Sequence, residues 1–106
     1  MSELQKIIVF ITASKDAAEE IGNHLVETRL AACVSIVSGV QSIFFWEGKR
    51  CSESEVLLVV KTKRSLFAPL CEAVQQRHSY SVPEIIALPI VEGAENYLQW
   101  IEENTR

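Results

Sequence analysis

The spacing of apolar residues changes period several times along the chain, and each change marks an element. Ile7-Ile8-Val9-Phe10-Ile11 is an unbroken, mostly β-branched run, the pattern of a central strand buried on both faces. Ser14 and Asp16 follow as candidate helix caps, with Glu19 three residues after Asp16 at capping-box spacing. Ala18, Ile21, Leu25 and Val26 then recur at helical intervals, and this helix is predicted to close near Leu30. Gly22 lies on the same stripe. It costs about 1 kcal/mol there against alanine, so close packing of the helix on a sheet is the expected reason for it.

From Cys33 to Trp46 the pattern is that of a strand, well beyond the usual length of roughly 5 to 6 residues. Gly39 in its middle predicts a bulge or bend. Glu47-Gly48-Lys49 signals a turn, and Glu53 to Thr62 returns as the partner strand of one extended hairpin. A second helix is predicted with Ser65 as cap and Phe67, Leu70, Cys71, Val74 and His78 along one face. Pro69 is tolerable in its first turn. Glu84 to Val91 reads as a further strand, with Pro89 favouring an edge or a strand end. Ala94 to Asn104 closes the chain as a short helix with Tyr97, Leu98, Trp100 and Ile101 as its apolar positions. The order β-α-β-β-α-β plus a C-terminal helix is α+β and ferredoxin-like, with an extended central β-hairpin. At 106 residues it is expected to be a single domain spanning 1–106. One small core cannot hide Ile43, Phe44, Phe45 and Trp46 together. The hairpin end is therefore expected to be an interface for self-association.

Composition narrows the function classes. Hydrophobic residues at 48% and charged residues at 23% describe an ordinary globular chain rather than a disordered one. A net charge of −4 argues against a nucleic-acid partner, which needs a basic stripe to displace counterions from phosphates. Met1-Ser2-Glu3-Leu4-Gln5-Lys6 lacks the basic opening of a signal peptide, and the Ile7–Ile11 run is too short for a membrane span. The three cysteines Cys33, Cys51 and Cys71 are odd in number, far apart and without a CxxC pair. They suit neither a disulfide framework nor a zinc ribbon, and a reduced, cytoplasmic setting is expected. Cys33 and Cys71 are expected in the core, and Cys51, beside the turn, is the thiol expected to meet solvent and soft metals.

LAACVSIV (30–37), SIFFWEGK (42–49), EVLLVVKT (55–62), HSYSVPEI (78–85) and YLQWI (97–101) together resemble the divalent-cation-tolerance CutA family in order and spacing. The resemblance implies a ferredoxin-like fold, a compact homotrimer built through long hairpins, and a role in tolerance of divalent metals, copper above all. The chain departs from the family pattern at three places. Ser79 stands where the family usually has proline. Ile11 stands where bacterial members can carry a cysteine ligand, and Arg77 where a second histidine can precede the matched one.

His78 and Glu84 are the first candidate metal ligands, since imidazole and carboxylate at a helix-to-strand corner suit a divalent cation. His78 is equally readable as a helix-end histidine bonded to a carbonyl. Cys51 is the third candidate. Trp46, Glu47 and Lys61 also match the family pattern, and with Tyr80 and Tyr97 they are the candidates for a ligand cleft. Lys61 is expected either to pair with Glu84 or Glu47, or to join Arg77 in an anion site. No Ser-His-Asp order, phosphate loop or HExxH helix is present, so no enzyme activity and no obligatory cofactor are expected. The ligand expected is Cu(II) or another divalent metal, bound weakly to moderately. A trimeric PII-like module taking a small anionic effector in a cleft between chains, or a scaffold for a protein partner, are the alternatives.

Overall fold

A computed structural model describes residues 5–106. The Met1–Leu4 stretch, on which the reading of the N-terminus partly rests, lies outside the described residues. The first apolar run becomes β1 (Lys6–Ala13) and alternates rather than burying both faces. Ile7, Val9, Ile11 and Ala13 point into the core, and Lys6, Ile8, Phe10 and Thr12 are half-buried on the other side. β2 (Cys33–Trp46), β3 (Lys49–Lys63) and β4 (Ile85–Pro89) complete an antiparallel sheet in the order β2-β3-β1-β4. α1 (Lys15–Glu27) and α2 (Phe67–Arg77) cover one face, closing a core that includes Ile11, Ile21, Leu25, Leu58, Leu70 and Val74. α3 (Glu95–Glu103) follows at the C-terminus. This is the expected split βαβ arrangement, and β4 is an edge strand that ends at Pro89, as its proline favoured.

Helix ends differ from expectation in informative ways. Ser14 alone caps α1, its Oγ accepting from the Ala17 N–H at 3.3 Å. Asp16 falls inside the first turn, so no Asp16–Glu19 capping box forms. The helix stops at Glu27 because Arg29 turns left-handed (φ 63°), while the N–H of Arg29 returns to Val26 and that of Leu30 to Leu25. These are the paired bonds of a Schellman end. Leu30 is folded back into the core by that turn, and Val26 is left exposed. Ser65 does not cap α2. It lies in a 3-10 turn (Arg64–Leu66), and Leu66 occupies the cap position without a side-chain bond. His78 lies beyond α2, not on its apolar stripe: its N–H makes the last helical bond, to the Val74 carbonyl, and its own backbone then turns extended (φ −84°, ψ 143°).

Gly22 does bring α1 against the sheet. A Cβ there would sit 3.3 Å from Val34 Cγ1, so a larger side chain has no room. Gly22→Leu is expected to cost about 1–3 kcal/mol by overpacking, read by urea denaturation; a stability equal to the parent would show that the helix can lift freely.

Pairing in the hairpin runs to Trp46↔Lys49, so β3 begins four residues before the predicted Glu53. The loop is only Glu47-Gly48, with φ 52° and 79°. Two positive φ values make the type I′ turn whose twist matches its strands. Gly39 (φ 82°) marks the predicted bulge, where the register shifts between Val37 and Val40. The extra residue resets the alternation of β2. Val40, Ser42, Phe44 and Trp46 therefore continue the face begun by Cys33, Ser35 and Val37, opposite the helices.

That second face is apolar across the middle of the sheet: Ile8 and Phe10 of β1, Leu57 and Val59 of β3, Ile86 and Leu88 of β4. Among the described residues α3 meets only its end, where Glu102 bridges Lys6 (2.9 Å) and Lys63 (3.2 Å). Ile86 and Leu88 remain 51% and 44% exposed, and at the hairpin end Ile43 and Phe45 reach 67% and 76%.

Candidate functional site

The α2–β4 loop folds over the open face of the hairpin and borders an open cleft of about 710 Å³. The hairpin supplies Phe44, Trp46, Cys51, Glu53 and Glu55, which the alternation and the bulge place on one face. β1 contributes Thr12, and the loop contributes Tyr80, Val82 and Glu84. Of the sequence candidates, the fold thus brings Trp46, Cys51, Tyr80 and Glu84 together.

His78 anchors this loop. Its Nε2 lies 2.7 Å from the Thr12 carbonyl, and its Nδ1 accepts the Tyr80 N–H at 3.1 Å. A carbonyl only accepts and an amide only donates, so the ring is assigned as the Nε2–H tautomer. Both nitrogens are then engaged within the chain, and the imidazole also packs on the Tyr80 ring at 4.6 Å. The bond to a carbonyl foreseen for His78 is therefore present, directed to β1.

Tyr80 donates to Glu55 Oε2 at 2.8 Å, and Glu55 is only 7% exposed. Burial, then the hydrogen bond to Glu55 and the charges of Glu55 and Glu53, push the Tyr80 phenol up from 10.0 to about 12. A raised phenol favours the folded state while it stays protonated. That contribution is complete below pH 10 and is lost as pH rises through about 12. Phenolate absorbance in a Tyr97→Phe background is expected to show one transition near 12, displaced downward by Glu55→Gln. A midpoint at the ordinary tyrosine value would rule out the Tyr80–Glu55 bond.

Other candidates sit elsewhere. Lys61 pairs with neither Glu84 nor Glu47; its Nζ donates to Ser35 Oγ at 2.7 Å and approaches Cys33 Sγ at 3.6 Å. Tyr97 lies beside Cys33, with its phenol pushed up by burial and by that thiol. Lys61 is six residues along β3 from Glu55, about 20 Å at strand rise, so Lys61 and Tyr97 belong to a second cluster outside the cleft. Arg77 turns back to the Ala73 carbonyl of its own helix (3.2 Å). Glu47 occupies the hairpin tip. Cys33 is not core; it is half-buried on the open face, and Cys51 and Cys71 are half-buried too. Burial raises the Cys71 thiol. Ile11 is fully buried on the core face. Among the described residues no three His, Cys, Asp or Glu side chains converge as a metal cluster within one chain.

Sequence reasoning missed Glu53, Glu55, Thr12 and Phe44. Cys51, Glu53 and Glu55 alternate along β3, and a period-2 reading carried to the turn would have placed them on one face.

Fold and cleft together define a ferredoxin-like protein whose overlong hairpin forms an aromatic and acidic wall. The CutA1 divalent ion tolerance protein family model matches residues 7–104, and the chain belongs to that family. It is 46% identical over 102 residues to the divalent-cation tolerance protein CutA of Thermus thermophilus, covering 96% of this chain and 99% of that one. It is 48% identical over 101 residues to the chloroplastic protein CutA of Arabidopsis thaliana, covering 94% of this chain but only 56% of the relative's length. The solved structure of a Thermus thermophilus divalent cation tolerance protein superposes with a TM-score of 0.93 at 49% identity, covering 95% and 99% of the two chains. Among the described residues no helix is long and apolar enough to cross a membrane.

Proposed function

We propose that the protein serves divalent-cation tolerance as a cytoplasmic homotrimer that binds the cation, copper first, weakly to moderately in this cleft and catalyses no reaction. The observation that carries this reading is the cleft's make-up: Cys51 and Glu84 share it with Glu53 and Glu55, and no lysine or arginine lines it. Carboxylate oxygens with a single thiol suit a labile divalent ion better than a tight one. His78 acts by holding the loop to β1, since ligation would require it to release Thr12 or Tyr80. Trimer formation is supported by the uncovered apolar face and hairpin end, which a second copy of the chain would bury. The anionic-effector alternative would need Lys61 and Arg77 to meet across two chains, since within one chain Lys61 donates to Ser35 and Arg77 to the Ala73 carbonyl.

Native mass spectrometry of the metal-free protein, titrated with Cu(II) and then Zn(II), tests the proposal. Uptake is expected in fixed ratio to the chains, weakened in Glu84→Gln and in Cys51→Ser. Absence of uptake at micromolar metal would overturn it.

A further inference from the structure

We infer that the α2–β4 loop is an acid-released strap, closed on β1 while His78 is neutral and freed when its imidazole takes up a second proton. Its consequence for cation binding rests on the metal reading; the strap itself does not. The loop is held at few points. Residues 79–84 lie between the last helical bond of α2, from the His78 N–H to Val74, and the first residue of β4, Ile85. Among the described residues, the hydrogen bonds of this stretch all come from Tyr80: its N–H to His78 Nδ1 at 3.1 Å and its O–H to Glu55 Oε2 at 2.8 Å.

The first of these bonds requires a lone pair on Nδ1. Nε2 keeps its hydrogen for the Thr12 carbonyl at 2.7 Å, so a second proton has to enter at Nδ1. There it meets the Tyr80 N–H, donor against donor, and the bond is lost. A half turn of the ring is no remedy, because it puts carbon where each nitrogen stood. The ring is faced by Thr12 from β1 and by the Tyr80 ring at 4.6 Å from the loop. Glu55 and Glu53 of β3 act on it through Tyr80. Arg77 of α2 turns its guanidinium to Ala73, and Lys15 and Asp16, which open α1 just beyond Thr12, make no bond to it. Among the described residues no carboxylate bonds His78, and Cys51, Glu53 and Glu84 do not touch it through any hydrogen bond. Nothing therefore rewards the second proton for the bond it removes. Imidazole is the side chain whose charge ordinarily changes between pH 5 and 8, so mild acid is the signal. With the strap open, Val82 and Glu84 leave the wall that carries Cys51 and Glu53, and cation uptake falls.

Nuclear magnetic resonance of the metal-free, full-length protein tests this, in a His24→Gln background that leaves His78 as the sole imidazole. The ring nitrogens should report the Nε2–H tautomer at pH 8. Backbone order parameters of residues 79–84 should stand near the rigid value of about 0.85 at pH 8 and drop below about 0.6 at pH 5.5. The drop should follow protonation of the ring, while the helices and the sheet keep their values. His78→Ala should leave the loop mobile at both pH values, and Glu55→Gln should keep the step. An Nδ1–H tautomer at pH 8, a loop still ordered once the ring is doubly protonated, or a step that survives His78→Ala would overturn the inference. So would a step abolished by Glu55→Gln, which would make that carboxylate the sensor. No metal enters these measurements, so failure of the strap leaves the metal reading standing, and absence of copper uptake leaves the strap standing.

Discussion

Leu58→Ala is expected to lower the free energy of unfolding by about 2–5 kcal/mol, a larger effect than overpacking at Gly22. Leu58 is fully buried in β3, with Ile11 of β1 opposite it on one side and Ile36 of β2 on the other. Its side chain enters the layer between the sheet and the two helices, in the cluster that includes Ile21, Leu25, Leu70 and Val74. Because β3 is hydrogen-bonded to a neighbour along both edges, its backbone cannot move inward to close the gap, and most of the lost volume persists as a cavity. Single domains are typically stable by about 5–15 kcal/mol, so this one truncation removes a large share. Urea denaturation at fixed protein concentration measures it, since formation of the proposed trimer would add concentration-dependent stability. Leu58→Met, which nearly conserves volume, should cost less than about 1.5 kcal/mol. A loss below that for the alanine variant would mean that Leu58 does not sit at the centre of the packing.

Ile86→Glu is expected to leave the fold intact and dissociate the proposed trimer. Ile86 is opposite Phe10 in the register and 51% exposed within one chain. The fold of the single chain therefore does not depend on it. Its neighbours on that face are Ile8, Val59 and Leu88, an apolar surface that in a sheet protein is normally covered by another layer. If a second copy supplies that layer, a carboxylate at position 86 is taken out of water without a partner, and desolvation of an unpaired charge is among the most costly changes available. Light scattering should then show monomers with an unchanged far-ultraviolet spectrum. A variant that remains fully assembled would show that this face is not the one copies share.

Much of the fold was legible because its signals are local. The β-branched run at Ile7–Ile11, the helical spacing of Ala18, Ile21 and Leu25, and Gly39 and Gly48 at positions of positive φ each express a short-range preference. Local signals also explain the errors. Ser65 has the composition of a cap, but a 3-10 turn leads from β3 directly into α2 and leaves it inside the turn. His78 continues the spacing of Phe67, Leu70 and Val74, yet the chain leaves the helix there and the ring is directed to Thr12 instead.

The candidate site was legible in part. Trp46, Cys51, Tyr80 and Glu84 were identified by residue type and resemblance, and they do line one cleft. Lys61 and Tyr97 were grouped with them and belong with Cys33 and Ser35. Glu53 and Glu55 passed unnoticed. By itself the sequence determined the elements, their order, the hairpin turn and the surplus of apolar residues near Trp46, because these depend on neighbours a few positions apart. Only the tertiary structure decided which residues share the cleft. That depends on a strand parity reset at Gly39, on a pairing register extending to Lys49, and on a loop pinned by His78 to a strand 66 positions earlier. Contacts of that kind leave no periodic trace in the chain that makes them.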